Sequence, residues 1–154
     1  ADLLDEFGHL VVARTMSKAF GCAGARIGYL AADARLVDML RIVRLPYHLS
    51  AVTQAVALAA LAHADELQAQ VSALRAERDA LAAALANSGY EVASSDANFL
   101  LFGMFTDRHE VWQRLLDRGV LIRETGPDGW LRVSVGTPAE TRTFLATLRE
   151  VDPR

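Results

Sequence analysis

From Ser50 to Ser88 the chain runs without a glycine or a proline, its longest such stretch. Nothing in it breaks a helix, so it predicts a helical rod or a pair of helices, and a rod of that length must be covered by something. Through Ala64 it is apolar nearly all round, which predicts burial between layers rather than a surface position. Asp65 is placed to start or kink a second helix. Beyond it Leu67, Val71, Leu74, Leu81 and Leu85 follow a four-three spacing, with Arg78 in the one gap and Arg75 and Asp79 able to pair across a turn. About two heptads is short for a coiled coil, so the pattern favours a helix lying on a sheet, ended by Gly89 as a C-cap.

The chain beyond Gly89 supplies that sheet. Tyr90 to Ala93, Asn98 to Phe102, Val120 to Ile122 and Leu131 to Val135 read as strands, the last two separated by the turn-rich TGPDG. Asp107 and Glu110 have capping-box spacing for a helix burying Val111, Trp112, Leu115 and Leu116, closed by Gly119. Thr137, Pro138 and Glu140 start a last helix that buries Phe144, Leu145 and Leu148. The expectation is an α/β sandwich: a small sheet with helices on one side.

The first part of the chain is built differently. Ala1 to Gly8 reads as the end of a helix, and Asp33 caps a helix carrying Leu36, Val37, Leu40 and Val43 until Pro46 stops it. Between them lie an apolar run, His9 to Ala13, and an alternating run, Ala25 to Leu30, which predict strand, loop, strand. The loop holds Ser17 and Lys18, then Gly21, Cys22, Ala23, Gly24 and Ala25, then Arg26. Glycines allow close backbone approach, and amides, a hydroxyl and a guanidinium suit a phosphate. Residue types alone leave a second reading open, since small residues between two strands also make a plain tight connection.

The run T-x-S-K-A-F-x-x-A-G-x-R-x-G-Y, Thr15 to Tyr29, resembles the cofactor-lysine segment of fold-type I pyridoxal-phosphate aminotransferases, the histidinol-phosphate aminotransferase branch in particular. The resemblance continues through RLPYHLS (Arg44 to Ser50), SDANFLLF (Ser95 to Phe102), GVLIRE (Gly119 to Glu124) and LRVSVGT (Leu131 to Thr137). It implies that Lys18 is the catalytic lysine bearing pyridoxal 5'-phosphate and that Ser17 and Arg26 hold the cofactor's phosphate. Cys22 stands where such enzymes carry a larger aliphatic residue, a change of packing more than of chemistry.

Arg132 alternates with Leu131, Val133 and Val135, so its side chain should point away from the core, and Arg123 ends the preceding strand. On spacing alone each is an ordinary solvated strand residue. A guanidinium can also grip a carboxylate or phosphate through two parallel hydrogen bonds, and the resemblance implies that Arg123 and Arg132 bind the anionic end of the substrate. Tyr47 and Asn98 sit in family-like motifs as further substrate-binding candidates, although Asn98 also suits a simple turn. The implied reaction moves the amino group of histidinol phosphate to 2-oxoglutarate, giving imidazole acetol phosphate and glutamate, in a cytoplasmic homodimer of histidine biosynthesis. A transaminase for aromatic amino acids such as phenylalanine shares these motifs, and a non-catalytic module that kept the small domain is a third possibility.

The aminotransferases resembled are more than twice as long as these 154 residues, and position 1 is alanine. The chain is therefore expected to be the C-terminal portion of the pyridoxal-phosphate transferase fold. Residues 1–48 would be a remnant of the large domain with two of its strands, 49–88 a connecting helix or helix pair, and 89–154 a C-terminal small domain. The carboxylate facing the cofactor's ring nitrogen would lie upstream, so the piece alone should be inactive, and its first 30 residues should be disordered or pair with a second copy. Composition adds exclusions. No apolar stretch reaches the roughly 18 residues of a membrane span. A net charge of −3 without a basic block gives nucleic-acid binding no support. One cysteine excludes an internal disulfide, and no metal-ligand motif stands out.

Overall fold

A computed structural model describes residues 3–154, which divide into two compact units at the step from Ala69 to Gln70. The first unit starts with a single helical turn, α1 (Leu3–Glu6), and a hairpin of β1 (Val11–Thr15) and β2 (Gly28–Ala32). The two strands pair antiparallel from Val11↔Ala32 to Thr15↔Gly28. Both lie about two residues further along than the sequence pattern places them: β1 continues to Thr15, and a 3-10 turn at Ala23–Ala25 followed by left-handed Arg26 delays β2 to Gly28. Helix α2 (Ala34–Val43) is capped by Asp33, whose carboxylate accepts the N–H of Arg35. Leu36 and Val37 are half-buried, whereas Leu40 and Val43 face solvent.

Helix α3 (Ala51–Ala62) starts at Ser50, whose hydroxyl accepts the N–H of Thr53. The expected burial on all sides is not found: among its residues only Ala57 is buried, and Val52, Leu58 and Leu61 are exposed. A helix with no polar face needs cover all round, and the described residues supply it on one side only. That side meets a small core of Met16, Cys22 and Ala57, with Phe20, Ala25, Ile27 and Ala60 packed against it. At His63 the helix breaks, and α4 (Ala64–Asn87) begins.

Helix α4 passes from the first unit into the second. Its less exposed stripe is the one its spacing predicts, with Leu67, Val71, Leu74 and Arg78 half-buried and Leu81 and Leu85 fully buried. The ion pair forms differently, however: Arg78, not Arg75, takes Asp79, with Nε and Nη2 at 2.9 and 2.8 Å from Oδ1. A guanidinium on the covered stripe extends toward the nearest exposed carboxylate rather than staying under apolar neighbours. The helix ends on Gly89 at φ +88°, where the N–H of Tyr90 reaches Leu85 O and that of Gly89 reaches Ala86 O. Paired bonds of this kind satisfy the last carbonyls, and the left-handed residue between them is the reason for glycine.

The second unit holds an antiparallel sheet in the order β3 (Glu91–Val92), β4 (Phe99–Gly103), β5 (Trp130–Ser134). In β4 and β5 the pairs Leu100↔Val133 and Phe102↔Leu131 face one side and Leu101↔Arg132 the other. The first side is the core: Leu100, Phe102, Leu131 and Val133 pack with Leu81, Leu85, Leu115, Phe144, Leu148 and Val151 from the helices. Phe102 is its centre, with Tyr90, Phe105 and Phe144 rings at 5.7, 5.5 and 5.7 Å. Helices α5 (Arg108–Leu116) and α6 (Pro138–Val151) complete the layer on that face.

Val120–Ile122 is not a strand. The segment's ladder contact among the described residues is one antiparallel bridge, Arg123↔Arg132, and the chain then parts from β5, leaving a cleft of about 620 Å³ between residues 119–122 and 133–136. Alternation survives without the ladder, Ile122 buried between exposed Leu121 and Arg123, which is why the pattern reads as a strand. The expected capping box on α5 is half made: Asp107 Oδ1 accepts Glu110 N–H at 2.9 Å, while the Glu110 carboxylate lies nearer Arg114. On α6 both halves form, Thr137 Oγ1 accepting Glu140 N–H and Glu140 Oε2 accepting Thr137 N–H at 2.7 Å.

Candidate functional site

The lysine loop folds around two inward side chains. Met16 and Cys22 are buried, Met16 N–H donates to Ile27 O, and Cys22 N–H donates to Met16 O. With those residues turned in, Lys18 and Arg26 are turned out, and neither is fully buried. The Ser17 hydroxyl lies 2.7 Å from the Thr15 hydroxyl, and Ser17 N–H donates to Thr15 Oγ1 at 3.1 Å. Thr15 thus orients Ser17, a role that sequence reading missed although the two hydroxyls stand two residues apart in the motif.

Two backbone features shape the loop. Arg26 adopts φ +51°, a left-handed conformation uncommon for a side-chain-bearing residue, and its side chain is exposed. At Gly28 an added Cβ would lie 2.6 Å from Arg14 O, so the two strands close at the loop's base only because this residue is glycine. At Gly24, by contrast, an added Cβ would meet nothing within 4 Å. The loop thus carries a primary amine, a hydroxyl and a guanidinium within ten residues, a donor set whose chemistry fits an aldehyde joined to a phosphate ester. Tyr47, in the same unit, has φ +60° and is 97% exposed.

In the second unit Arg123 and Arg132 come together. Each donates its N–H to the other's carbonyl at 2.9 Å, and residues opposite each other on an antiparallel pair share a face. The Arg132 guanidinium lies over the Phe99 ring at 4.9 Å, and its Nε is buried without a hydrogen-bond partner. Buried donors are normally paired, so this atom is one that a ligand would satisfy. The two arginines line a cleft of about 500 Å³ with Trp112, Glu124 and Ser134. Asn98 is half-buried at the start of β4, and its carbonyl accepts Val135 N–H.

A cluster that sequence reading missed borders this cleft. His109 Nδ1 lies 2.9 Å from Glu124 Oε2, and the ring stacks on Trp112 with centroids 5.7 Å apart. The hydrogen bond and negative charge of Glu124 raise the His109 pKa above its ordinary value. Arg108 Nε is 3.7 Å from Glu124 Oε1, and its Nη1 donates to Gly126 O and Pro127 O at 3.1 and 2.7 Å. Trp112 Nε1 donates to Ile122 O at 3.0 Å. Residues 15 apart on a helix and a loop leave no periodic trace, so no pattern in the sequence announces the pair.

Known proteins resemble this chain over most of its length. The histidinol-phosphate aminotransferase of Streptomyces avermitilis is 62% identical over 149 residues, covering 97% of this chain and 40% of that protein. That of Thermobifida fusca is 62% identical over 146 residues, covering 95% and 40%. Among solved structures, the histidinol-phosphate aminotransferase from Sinorhizobium meliloti in complex with pyridoxal-5'-phosphate superposes with a TM-score of 0.79 at 31% identity, over 94% of this chain and 41% of that one. The chain thus spans about 40% of the length of these curated relatives. The profile described as "Aminotransferase class I and II" matches residues 1–148, and the chain belongs to that family.

Proposed function

We propose that this chain is the lysine-loop and small-sheet part of a histidinol-phosphate aminotransferase, which passes the amino group of histidinol phosphate to 2-oxoglutarate. The observation that carries the reading is 62% identity to a histidinol-phosphate aminotransferase across nearly the whole chain, with the amine, hydroxyl and guanidinium gathered on one open loop. Residues 1–48 would belong to the large cofactor-binding domain, 49–88 to the connecting helices and 89–154 to the small domain. The reading includes a cytoplasmic homodimer of histidine biosynthesis; among the described residues no helix is long and apolar enough to cross a membrane.

The residues divide the work by their chemistry. Arg26 and Ser17 would hold the phosphate of pyridoxal 5'-phosphate, the guanidinium by a forked pair of hydrogen bonds and the hydroxyl in the orientation Thr15 gives it. When bound, that cofactor supplies an electron sink for the bond being broken at the substrate's amino-bearing carbon. Lys18 Nζ would take the proton from that carbon and return one, which requires the amine to be neutral when it acts. Arg123 and Arg132 would grip the substrate's anionic end, phosphate in one half of the reaction and carboxylate in the other, and the unpartnered Arg132 Nε favours such an occupant. Tyr47 and Asn98 would line the substrate site.

The test is chemical. Borohydride reduction of the intact protein loaded with pyridoxal phosphate, followed by peptide mapping, should label Lys18 and lose the label in Lys18→Ala. A label on another residue, or a preference for phenylalanine over histidinol phosphate as donor, would overturn the assignment or its substrate.

A further inference from the structure

The cleft that holds Arg123 and Arg132 also holds a carboxylate able to neutralise them, that of Glu124, one residue from Arg123. Yet neither arginine takes it. Glu124 Oε2 is engaged by His109 Nδ1 at 2.9 Å and Oε1 faces Arg108 Nε at 3.7 Å. Both partners stand on the first turn of α5, and both are fixed. Arg108 is tied to the carbonyls of Gly126 and Pro127, and the His109 ring lies flat on Trp112, which itself binds Ile122 O. The helix therefore grips the loop on either side of Arg123, at residue 122 and at residues 124, 126 and 127, while Arg123 keeps its backbone rung to Arg132.

We propose that Arg108 and His109 are positioning residues that withhold the Glu124 carboxylate from Arg123 and Arg132, so that the anion those arginines bind is the substrate's. An internal carboxylate within reach would compete with phosphate or carboxylate at every binding event, and the competition would raise KM for both substrates while leaving the chemical step alone. The inference rests on the reading of Arg123 and Arg132 as substrate ligands given above.

The test uses the intact enzyme loaded with pyridoxal phosphate. Arg108→Ala/His109→Ala should raise KM for histidinol phosphate and for 2-oxoglutarate by about ten-fold, with kcat within about two-fold of the parent. Adding Glu124→Gln to the pair removes the competing charge and should return both KM values to within about three-fold of the parent. A loop that had merely come loose would gain nothing from Glu124→Gln, so KM values that stay high in the triple variant, or parent-like KM values in the double, overturn the proposal. Arg123→Ala separates the two readings: raised KM there with failed rescue sinks the withholding role alone, and unchanged KM there sinks the substrate assignment beneath it. Melting temperatures that match between double and triple variants, with KM restored only in the triple, would tie the effect to charge rather than folding.

Discussion

Replacing Arg132 with methionine separates a binding arginine from a structural one. The unbranched stem can still lie against Phe99, whose ring the guanidinium now covers at 4.9 Å. What is lost is the charge and an Nε donor that no protein group uses. Removing a donor that has no partner orphans nothing, so stability should change by only about 1 kcal/mol, the scale of one cation–π contact. The neighbouring Leu131, fully buried at 0% exposure, gives the contrast: Leu131→Ala should cost about 2–5 kcal/mol. For function the order reverses, because a charge-assisted hydrogen bond contributes roughly 1.5–3 kcal/mol. Its loss should lower kcat/KM by roughly 10- to 100-fold. Steady-state kinetics with both substrates and thermal melts of the intact protein read the two effects separately. A methionine variant that melts as low as Leu131→Ala, or one that keeps the parent kcat/KM, would refute the reasoning.

Other outcomes rest on the same structure. Phe102→Ala should destabilise by about 3–5 kcal/mol, since the ring is fully buried and meets three others; urea melts monitored by circular dichroism measure it, and a loss near 1 kcal/mol would mean the cluster is loosely packed. Glu140 is held below the usual carboxylate range by the Thr137 N–H and hydroxyl; its contribution is therefore present above the unfolded value of 4.5 and fades as pH falls through the lower folded value. Glu140→Gln should melt below the parent at pH 7 and alongside it once the parent's carboxyl is protonated, and a constant gap would contradict the cap's charge dependence. Gly28→Ala, placing a Cβ at 2.6 Å from Arg14 O, should spread the base of the lysine loop and weaken pyridoxal phosphate binding, read as a shifted cofactor titration; an unchanged titration would show that the hairpin yields freely.

Much of this fold was written in local chemistry. Caps at Asp33, Ser50, Asp107 and Thr137 and stops at Gly89 and Gly119 act within one turn of chain, and each sits where residue type places it. The stripe on α4 and the alternation in β5 were equally readable, because period and covered face coincide. What failed depended on remote partners. Whether Val120–Ile122 joins a ladder is decided by where β5 runs, and whether α3 is covered is decided by elements that its own composition does not name. Arg78 displaced Arg75 because a half-covered guanidinium has one direction of escape. At the candidate site, Lys18, Ser17 and Arg26 are proposed from resemblance and residue type. Thr15 in the loop and Arg108, His109 and Trp112 beside the Arg123–Arg132 cleft left no sign in the sequence because their contacts follow no repeating spacing.

The single rung joining Arg123 to Arg132 sets two like charges face to face across one step of the sheet. Such pairs repel, and here no second rung among the described residues locks the segment in register. An anion held between them, as the proposed function requires, would cancel that repulsion in addition to any hydrogen bonds it made. Both the repulsion and such a grip would weaken as dissolved salt shields the charges.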